Sequence, residues 1–423
     1  MPVNARQAAY DALTAVMRDG SYTALALKKH LPPSLSDGDR RFATRLVLTT
    51  LENLIRIDHA LSGFIKSGRV HGSVRNILRL GACQLLFLNV DTHAAVNESV
   101  TMAKRIKPQT AGFVNGVLRA LDRGRNDIRY PQGGNAQALS VAASYPLWMC
   151  EKYITVFGYD FAEELLTYRA PHDTVVRVNT LKTTPQALEE ELTRLGLEYR
   201  KGKVEGAYLV AGMSDIEGMP IYQEGWIAVQ SESAMRAVLA ANVQKGERLL
   251  DCCAAPGGKS AFAAALAAGE LDITAWDVHE HRVDMMRRNY ERLDVTARCE
   301  LRNASVFEPQ LAGSFDVVLA DMPCSASGLM AHSPDIRYTR KPEDIGALVK
   351  LQREILETCA GYVKPGGRLI YSTCSINREE NEGITDTFVR DHAGYQYKGK
   401  PETIYPHIAD SDGFYIAVIQ RDE

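Results

Sequence analysis

The strongest constraint on the fold of this chain is a regular alternation in its second half. From Ser231 onward, apolar runs of strand length alternate with stretches in which apolar residues have helical spacing. The strand-length runs are ERLLDCC, DITAWD, FDVVLAD, GRLIYSTC and FYIAVI. Such alternation is typical of a parallel sheet that helices cover on both faces. We therefore predict a doubly wound α/β domain over residues 231–423.

Polar or reactive residues stand where the first four of these runs end. They are Cys253, Asp277, Asp321 and Cys374. In doubly wound sheets, ligands bind outside the carboxyl ends of the strands. We expect these four residues to lie along one edge of the sheet and to line a ligand site.

The first run leads into DCCAAPGGKS (251–260), which has features of a cofactor loop. Gly257 and Gly258 allow a backbone turn to approach a ligand closely, before a helix that begins near Lys259. Asp277 lies where an acidic side chain can accept hydrogen bonds from both hydroxyls of a ribose. Each signal alone also fits a tight turn or a helix cap. Together they favour a nucleotide-like cofactor.

A phosphate-binding loop is an alternative interpretation, because Gly258, Lys259 and Ser260 follow a strand. The pattern G-x-x-x-x-G-K-[ST] requires glycine at the position of Cys253, and Pro256 lacks a backbone N–H that could bind phosphate. The spacing therefore argues against a nucleoside triphosphatase.

Two cysteines lie in turns at the predicted ligand edge. Cys324 belongs to DMPCSASG (321–328) and Cys374 to YSTCS (371–375). The other cysteines, 83, 150, 252, 299 and 359, fall in helix or strand patterns, where free cysteine is usually inert core. No two have the spacing of zinc ribbons or thioredoxin-like motifs, so we predict reduced thiols and no metal site.

Residues 1–135 have a different composition, with apolar residues at three- and four-residue steps that predict a helical bundle. We place helices near 38–50, 52–66, 73–88, 93–106 and 110–123. The net charge is +9 for this part and −12 for residues 136–423. The excess of positive charge in residues 1–135 indicates either contact with a polyanion or only a solvated helical surface. The basic residues expected at the surface are Arg40, Arg41, Arg45, Arg75, Arg79, Lys104, Arg105, Lys107, Arg119, Arg123 and Arg125.

Between these two parts, residues 130–144 have few large apolar side chains and are expected to connect domains. Residues 145–230 predict a small α+β unit, with a helix capped by Thr184 and strands around 207–210 and 226–229. The predicted domains are thus 1–135, 145–230 and 231–423. No 18-residue apolar run and no signal-peptide pattern occur, so we expect a cytoplasmic protein without membrane insertion. No coiled-coil repeat indicates oligomerisation.

These motifs carry a family resemblance. DCCAAPGGK, DMPCSASG with HSPDI (332–336), YSTCS followed by Glu379-Glu380-Asn381, and the terminal DGFYIA resemble S-adenosylmethionine-dependent RNA cytosine-5 methyltransferases. Residues 4–125 resemble the NusB-type RNA-binding helical domain. The resemblance extends over the whole chain and implies an enzyme that forms 5-methylcytosine in small-subunit ribosomal RNA.

The resemblance also implies residue roles. Cys374 would be the nucleophile, and Cys324 would assist release of the methylated product. The residues implied to surround S-adenosylmethionine are Cys253, Ala254, Ala255, Pro256, Gly257, Gly258, Lys259, Asp277, Asn303 and Asp321. Asn303 stands where the family usually has Asp, and its side-chain oxygen can accept a hydrogen bond from the adenine amino group.

Several roles stay open at this point. Neutral Asp321 or Lys259 could donate a hydrogen bond near N3 of the cytosine, or the two could simply pair beside the cofactor. His332, Asp335 and Arg337 could position RNA, or Asp335 could only cap or order the loop after Cys324. The alternative function is a non-catalytic RNA-binding or ribosome-assembly factor, against which the presence of both Cys324 and Cys374 argues.

Overall fold

A computed structural model describes residues 4–66, 70–171, 173–213 and 215–423. The helices are α1 Ala5–Asp19, α2 Thr23–His30, α3 Asp37–Glu52, α4 Leu54–Ser62, α5 Gly72–Leu86, α6 Thr92–Ile106, α7 Ala111–Gly124, α8 Ala136–Ala143, α9 Leu147–Phe157, α10 Tyr159–Thr167, α11 Pro185–Arg194, α12 Pro220–Gln223, α13 Glu232–Ala241, α14 Gly258–Leu266, α15 Glu280–Leu293, α16 Ile336–Thr339, α17 Pro342–Ala360, α18 Glu382–Asp391 and α19 Pro406–Ala409. The strands are β1 Thr174–Val178, β2 Tyr199–Lys201, β3 Ala207–Val210, β4 Ile227–Val229, β5 Arg248–Asp251, β6 Asp272–Asp277, β7 Ala297–Leu301, β8 Phe315–Asp321, β9 Val363–Thr373, β10 Tyr395–Tyr397, β11 Glu402–Ile404 and β12 Phe414–Arg421.

The chain divides into two compact units. The first contains the chain up to Tyr168 and also the segment Ser333–Lys341, and the second contains Arg169–His332 and Pro342–Glu423. Within the described ranges, no helix combines the length and apolar character needed to cross a membrane.

The first unit is a helical bundle, as the apolar periodicity predicts. Helices α3 to α7 begin and end within four residues of the predicted bounds, and Leu13, Leu46 and Leu118 are fully buried in their common core. Ser36 caps α3 by accepting a hydrogen bond from the Asp39 backbone N–H. The prediction of an all-α N-terminal part is confirmed.

The stretch 130–144 differs from its expected role as a connection between domains. It contains α8, which Asn135 caps and which buries Leu139 and Val141 inside the first unit. The helix is short and rich in alanine, and small side chains can bury an α-helix without producing the large apolar pattern that predicts one. Helices α9 and α10 follow in the same unit.

The segment Ser333–Lys341 packs among the helices of the first unit. The Tyr338 hydroxyl lies 2.8 Å from the carbonyl oxygens of Leu51 and Ser144. The Arg337 guanidinium is fully buried, 4.1 Å from the Tyr145 ring centroid. The side chain of Asp335 accepts a hydrogen bond from the Thr23 backbone N–H. These contacts give Asp335 and Arg337 partners within the helical unit. Whether either residue also positions RNA stays a prediction.

The second unit is built on an eight-stranded sheet with the order β10-β12-β9-β8-β5-β6-β7, and β11 pairs with β12. Strands β5 to β9 are parallel, whereas β12 runs antiparallel to β9. The sheet is therefore mixed rather than purely parallel. Its two faces bury separate cores, one around Leu249 and Ile370 and the other around Trp276 and Tyr371. The α/β class is confirmed.

A smaller antiparallel sheet with the order β2-β3-β1-β4 belongs to the same unit. Helix α11 begins at Pro185, and the Thr184 hydroxyl accepts a hydrogen bond from the Ala187 N–H, as predicted. Val176, Leu188 and Val210 belong to the apolar core between this sheet and α11. The sheet and α11 are the α+β part of the predicted unit 145–230, whereas the residues of that unit up to Tyr168 belong to the first compact unit.

Candidate active site

The strand order brings the predicted reactive residues to one edge of the large sheet. Strands β9, β8, β5 and β6 are consecutive neighbours in the sheet and run in the same direction. Their carboxyl ends therefore present, in that order, the turns of Cys374, Asp321, Cys253 and Asp277. This is the edge where doubly wound sheets bind ligands.

Cys324 and Cys374 are brought into direct contact. Their Sγ atoms are 3.2 Å apart, although the residues are 50 positions apart in the chain. The turn that contains Cys324 is also hydrogen-bonded to the turn that contains Cys374, because the Gly328 N–H donates to the Cys374 carbonyl oxygen at 2.9 Å. Both cysteines are partly exposed, in contrast to the fully buried Cys83, Cys150 and Cys359.

Cys374 is held as a thiol in this arrangement. Its hydrogen bond with Cys324, its burial and the nearby negative charge of Asp321 raise the pKa of the Cys374 thiol well above its ordinary value, and the Lys259 ammonium opposes this only in part. A solvent-exposed cysteine would have a pKa of about 8.5. The thiolate, which is the nucleophilic form, is therefore only a small fraction of Cys374 at neutral pH.

Lys259 and Asp321 form an ion pair beside the two thiols. The Lys259 Nζ lies 2.6 Å from Asp321 Oδ2, and the Ser372 hydroxyl donates to Asp321 Oδ1 at 2.8 Å. Burial lowers the pKa of Lys259, but attraction to Asp321 outweighs this, so the pKa lies above its ordinary value. Lys259 therefore carries a proton that it can share with a ligand, whereas both Asp321 oxygens accept hydrogen bonds.

The cofactor loop turns sharply between β5 and α14. Gly257 has φ +94°, and a Cβ there would lie 2.6 Å from a ring carbon of Tyr290. Only glycine fits both the left-handed backbone and the close packing. The turn also contains a cis bond between Ala255 and Pro256. Helix α14 then begins at Gly258, so its first N–H groups lie at the ligand edge.

The sequence gives no separate signal for Asp251, which lies at the end of β5. Its carboxylate is 1% exposed, and neither oxygen has a hydrogen-bond partner among the residues that the structure describes. Burial and the charge of Asp321 raise the pKa of Asp251 to about 7, although Ser260 and Lys259 act in the opposite direction. A buried carboxylate without a donor is costly, so this position suits a cationic ligand.

Asp277 and Asn303 follow the next two strands. Asp277 is buried and accepts hydrogen bonds from the His279 N–H at 3.0 Å and, at 3.4 Å, from Arg282. Asn303 is exposed, and its Oδ1 accepts hydrogen bonds from the Ser305 N–H and hydroxyl. Both acceptor positions of this oxygen are used within its own turn. A bond from Oδ1 to adenine would therefore have to displace Ser305.

His332 has a local partner at the other end of the Cys324 turn. Its Nδ1 lies 2.9 Å from Asp412 Oδ1. Burial lowers the pKa of His332, but the carboxylate of Asp412 outweighs burial and raises it above its ordinary value. The pair ties the turn to the segment before β12.

Comparisons with known proteins agree with this fold. Residues 238–420 match the family model described as 16S rRNA methyltransferase RsmB/F, and residues 3–123 match the NusB family. The chain is 32% identical to the probable ribosomal RNA small subunit methyltransferase B of Bacillus subtilis, over 98% of both proteins. It is 33% identical to the ribosomal RNA small subunit methyltransferase B of Vibrio cholerae, over 89% of this chain and 87% of that one.

Among solved structures, that of PH0851 superposes with a TM-score of 0.84 at 24% identity, covering 100% of this chain and 99% of that chain. The fold and the relatives define a Rossmann-like methyltransferase that carries a NusB-type helical domain. The chain belongs to the family of ribosomal RNA small subunit methyltransferases B.

Proposed function

We propose that this protein transfers the methyl group of S-adenosylmethionine to carbon 5 of a cytosine in small-subunit ribosomal RNA, through a thioether between Cys374 and carbon 6 of the base. The supporting observation is the 3.2 Å separation of the Cys324 and Cys374 Sγ atoms at the ligand edge of the sheet. A reaction that forms and then breaks one thioether needs a nucleophile and a proton-transfer group close to the same ring.

The residues present fit the cofactor. S-adenosylmethionine has a positive sulfonium and a positive ammonium group, and the edge offers the unpartnered carboxylate of Asp251. Asp277 can accept hydrogen bonds from a ribose, and the turn at Gly257 lets the protein backbone approach a ligand closely. When bound, S-adenosylmethionine supplies an electrophilic methyl group.

Cys374 begins the reaction by losing its proton to solvent and attacking carbon 6 of the cytosine as a thiolate. The new S–C bond leaves enamine-like electron density on carbon 5, which then takes the methyl group. Lys259 stabilises the negative charge at N3 by donating a hydrogen bond, and its pairing with Asp321 holds it in its protonated form.

Cys324 completes the reaction. Its Sγ is adjacent to that of Cys374, so in its thiolate form it is suited to take up the proton from carbon 5 and become a thiol. The electrons of that C–H bond restore the double bond between carbons 5 and 6, and the S–C bond breaks to release Cys374. In folded RNA the target base must first be unstacked, which costs a few kcal/mol and must be offset by RNA binding elsewhere.

The test compares two cysteine variants in transfer of tritiated methyl groups to ribosomal RNA. Cys374→Ala should abolish transfer, because no nucleophile remains. Cys324→Ala should accumulate RNA attached to Cys374, visible as a band that survives denaturing electrophoresis. Cys299→Ala, a cysteine that lies in β7, is the matched control and should behave as wild type. Normal turnover by Cys324→Ala, or an adduct without Cys374, would contradict the proposal, and RNA binding without any transfer would favour the assembly-factor alternative.

A further inference from the structure

The turns that contain Cys324 and Cys374 share one buried carboxylate, that of Glu380. Its side chain is completely buried, at 0% exposure. Each turn contributes the serine that follows its cysteine, Ser325 in one and Ser375 in the other. The Glu380 oxygens accept hydrogen bonds from Ser325 N–H at 2.8 Å, Gln352 Nε2 at 3.1 Å, Ser325 Oγ at 2.5 Å, Ser375 Oγ at 2.5 Å and Asn377 Nδ2 at 2.9 Å.

The position of Glu380 is itself fixed by its surroundings. Its backbone carbonyl accepts a hydrogen bond from the Tyr371 hydroxyl, which belongs to β9. Gln352, on α17, donates both to Glu380 and to the Pro323 carbonyl oxygen, one residue before Cys324. The carboxylate therefore connects both turns to β9 and α17.

We propose that Glu380 is a positioning residue that holds the two thiols at reacting distance. It reaches each cysteine through the adjacent serine, so it acts on the geometry of the pair and not on the base. A buried carboxylate with five donors resists movement of any of them, because each broken hydrogen bond leaves a buried polar group unpaired. The inference rests on the proposed function for its catalytic consequence, whereas the geometry of the thiols can be measured without it.

The decisive variant is Glu380→Gln, with Glu379→Gln as the matched control. Glutamine preserves the size of the side chain but replaces one carboxylate oxygen by an NH₂ group. In the wild type both oxygens accept hydrogen bonds, so the NH₂ group would face donors. Glu379 is the neighbouring residue and is exposed. Equal thermal unfolding and equal S-adenosylmethionine affinity of the two variants establish that both are folded.

The first measurement is the rate at which diamide oxidises Cys324 and Cys374 to a disulfide in the absence of RNA. The azo group of diamide takes up the two electrons and two protons that the thiols lose, and peptide mapping distinguishes this bond from one between Cys252 and Cys359. That second pair, with Sγ atoms 3.0 Å apart, is buried, so its oxidation reports loss of structure rather than the geometry of the Cys324–Cys374 pair. Glu380→Gln should slow the Cys324–Cys374 bond by about tenfold or more, whereas Glu379→Gln should not.

The second measurement is single-turnover methylation of ribosomal RNA. Glu380→Gln should lower the rate constant by about 10- to 100-fold without changing KM for RNA, because misplacement affects the chemical step rather than binding. Wild-type rates of disulfide formation and methylation in Glu380→Gln would overturn the inference.

The two proposals can fail separately. A wild-type protein that forms the disulfide but never an RNA adduct refutes the covalent mechanism, and the thiol geometry is still decided by the diamide rates. If Glu380→Gln does not fold, Ser325→Ala and Ser375→Ala each remove one hydroxyl donor to the carboxylate. Each should then slow disulfide formation, and unchanged rates in both would overturn the positioning role.

Discussion

The protonation state of Cys374 follows from its immediate neighbours. The hydrogen bond to Cys324 stabilises the thiol, and Asp321 disfavours a second negative charge nearby, whereas Lys259 acts in the opposite direction, so the pKa of Cys374 is raised. A nucleophile kept protonated in the absence of RNA reacts slowly with adventitious electrophiles. In the proposed mechanism, RNA binding shifts this balance toward the thiolate.

This balance predicts the pH dependence of Cys374 alkylation by iodoacetamide. Below the pKa of a thiol, the thiolate fraction rises about tenfold for each pH unit. Because the pKa of Cys374 is raised well above its ordinary value, the rate should still be rising at about pH 9. Cys324→Ala removes the hydrogen bond, lowers this pKa and should accelerate alkylation at about pH 8. Mass spectrometry of the Cys374 peptide measures both rates, and a plateau near about pH 8.5 in the wild type would contradict the raised pKa.

Individual site residues were predictable where they end strands, but their pairings were not. Cys324, Cys374 and Lys259 could be selected from their turns, and the structure brings them together. Asp251 and Glu380 stand within the same motifs, yet the sequence assigns neither a role. Their burial depends on strand order and on the packing of α17, which link residues far apart in the chain and leave no local signal.

Strand β6 provides a test of the cofactor site at the scale of one element. Asp277 lies at its carboxyl end and Asp272 at its amino end, so a substitution of Asp272 controls for effects on the stability of the strand. Asp277→Ala should weaken S-adenosylmethionine binding by about 1–3 kcal/mol, because ribose hydroxyls would be left without their acceptor.

Asp272→Ala should leave the affinity unchanged, since Asp272 pairs with Arg248 and Arg298 at the opposite edge of the sheet. Isothermal calorimetry measures both affinities. Equal weakening in the two variants would indicate reduced strand stability rather than removal of a ribose hydrogen bond.

Strand β7, helix α8 and the burial of Arg79 escape prediction from the sequence for the same physical reason. Strand β7, with the sequence ARCEL, lies at an edge of the sheet and is only partly buried, so it lacks the apolar run of a central strand. Helix α8 is short and built from small residues. Buried Arg79, expected at the surface, pairs with Asp58 at 2.6 Å. In each case a neighbour distant in the chain decides the outcome.

At the scale of the whole molecule, charge is distributed unevenly along the chain, +9 over residues 1–135 and −12 over the rest. Lys104 and Arg105 on α6, with Arg119 and Arg123 on α7, are exposed as expected. Such side chains bind phosphates independently of base sequence. We infer that the helical unit supplies the RNA affinity that unstacking of the target base requires.

Salt dependence tests this inference. The double variant Arg119→Gln and Arg123→Gln should bind ribosomal RNA more weakly, and the slope of log K against log salt should decrease by about 0.7–0.9 for each phosphate that is no longer neutralised. Arg390→Gln, an exposed arginine of α18, is the control and should not change the slope. Filter binding over a range of salt concentrations measures both, and identical slopes for all proteins would exclude these arginines from RNA binding.

The segment Ser333–Lys341 has a consequence for how the protein is made. The helical unit has 168 residues at its N-terminal end but acquires its last piece only at Lys341. At about 5–20 residues per second, a ribosome needs roughly 9–35 s to synthesise the chain between them. During that interval the carbonyl oxygens of Leu51 and Ser144 lack the hydrogen bonds that the Tyr338 hydroxyl later donates. The nascent helical unit is therefore incomplete until strands β1 to β8 have been translated, and it is finished before β9, which separates β8 from β12 in the sheet.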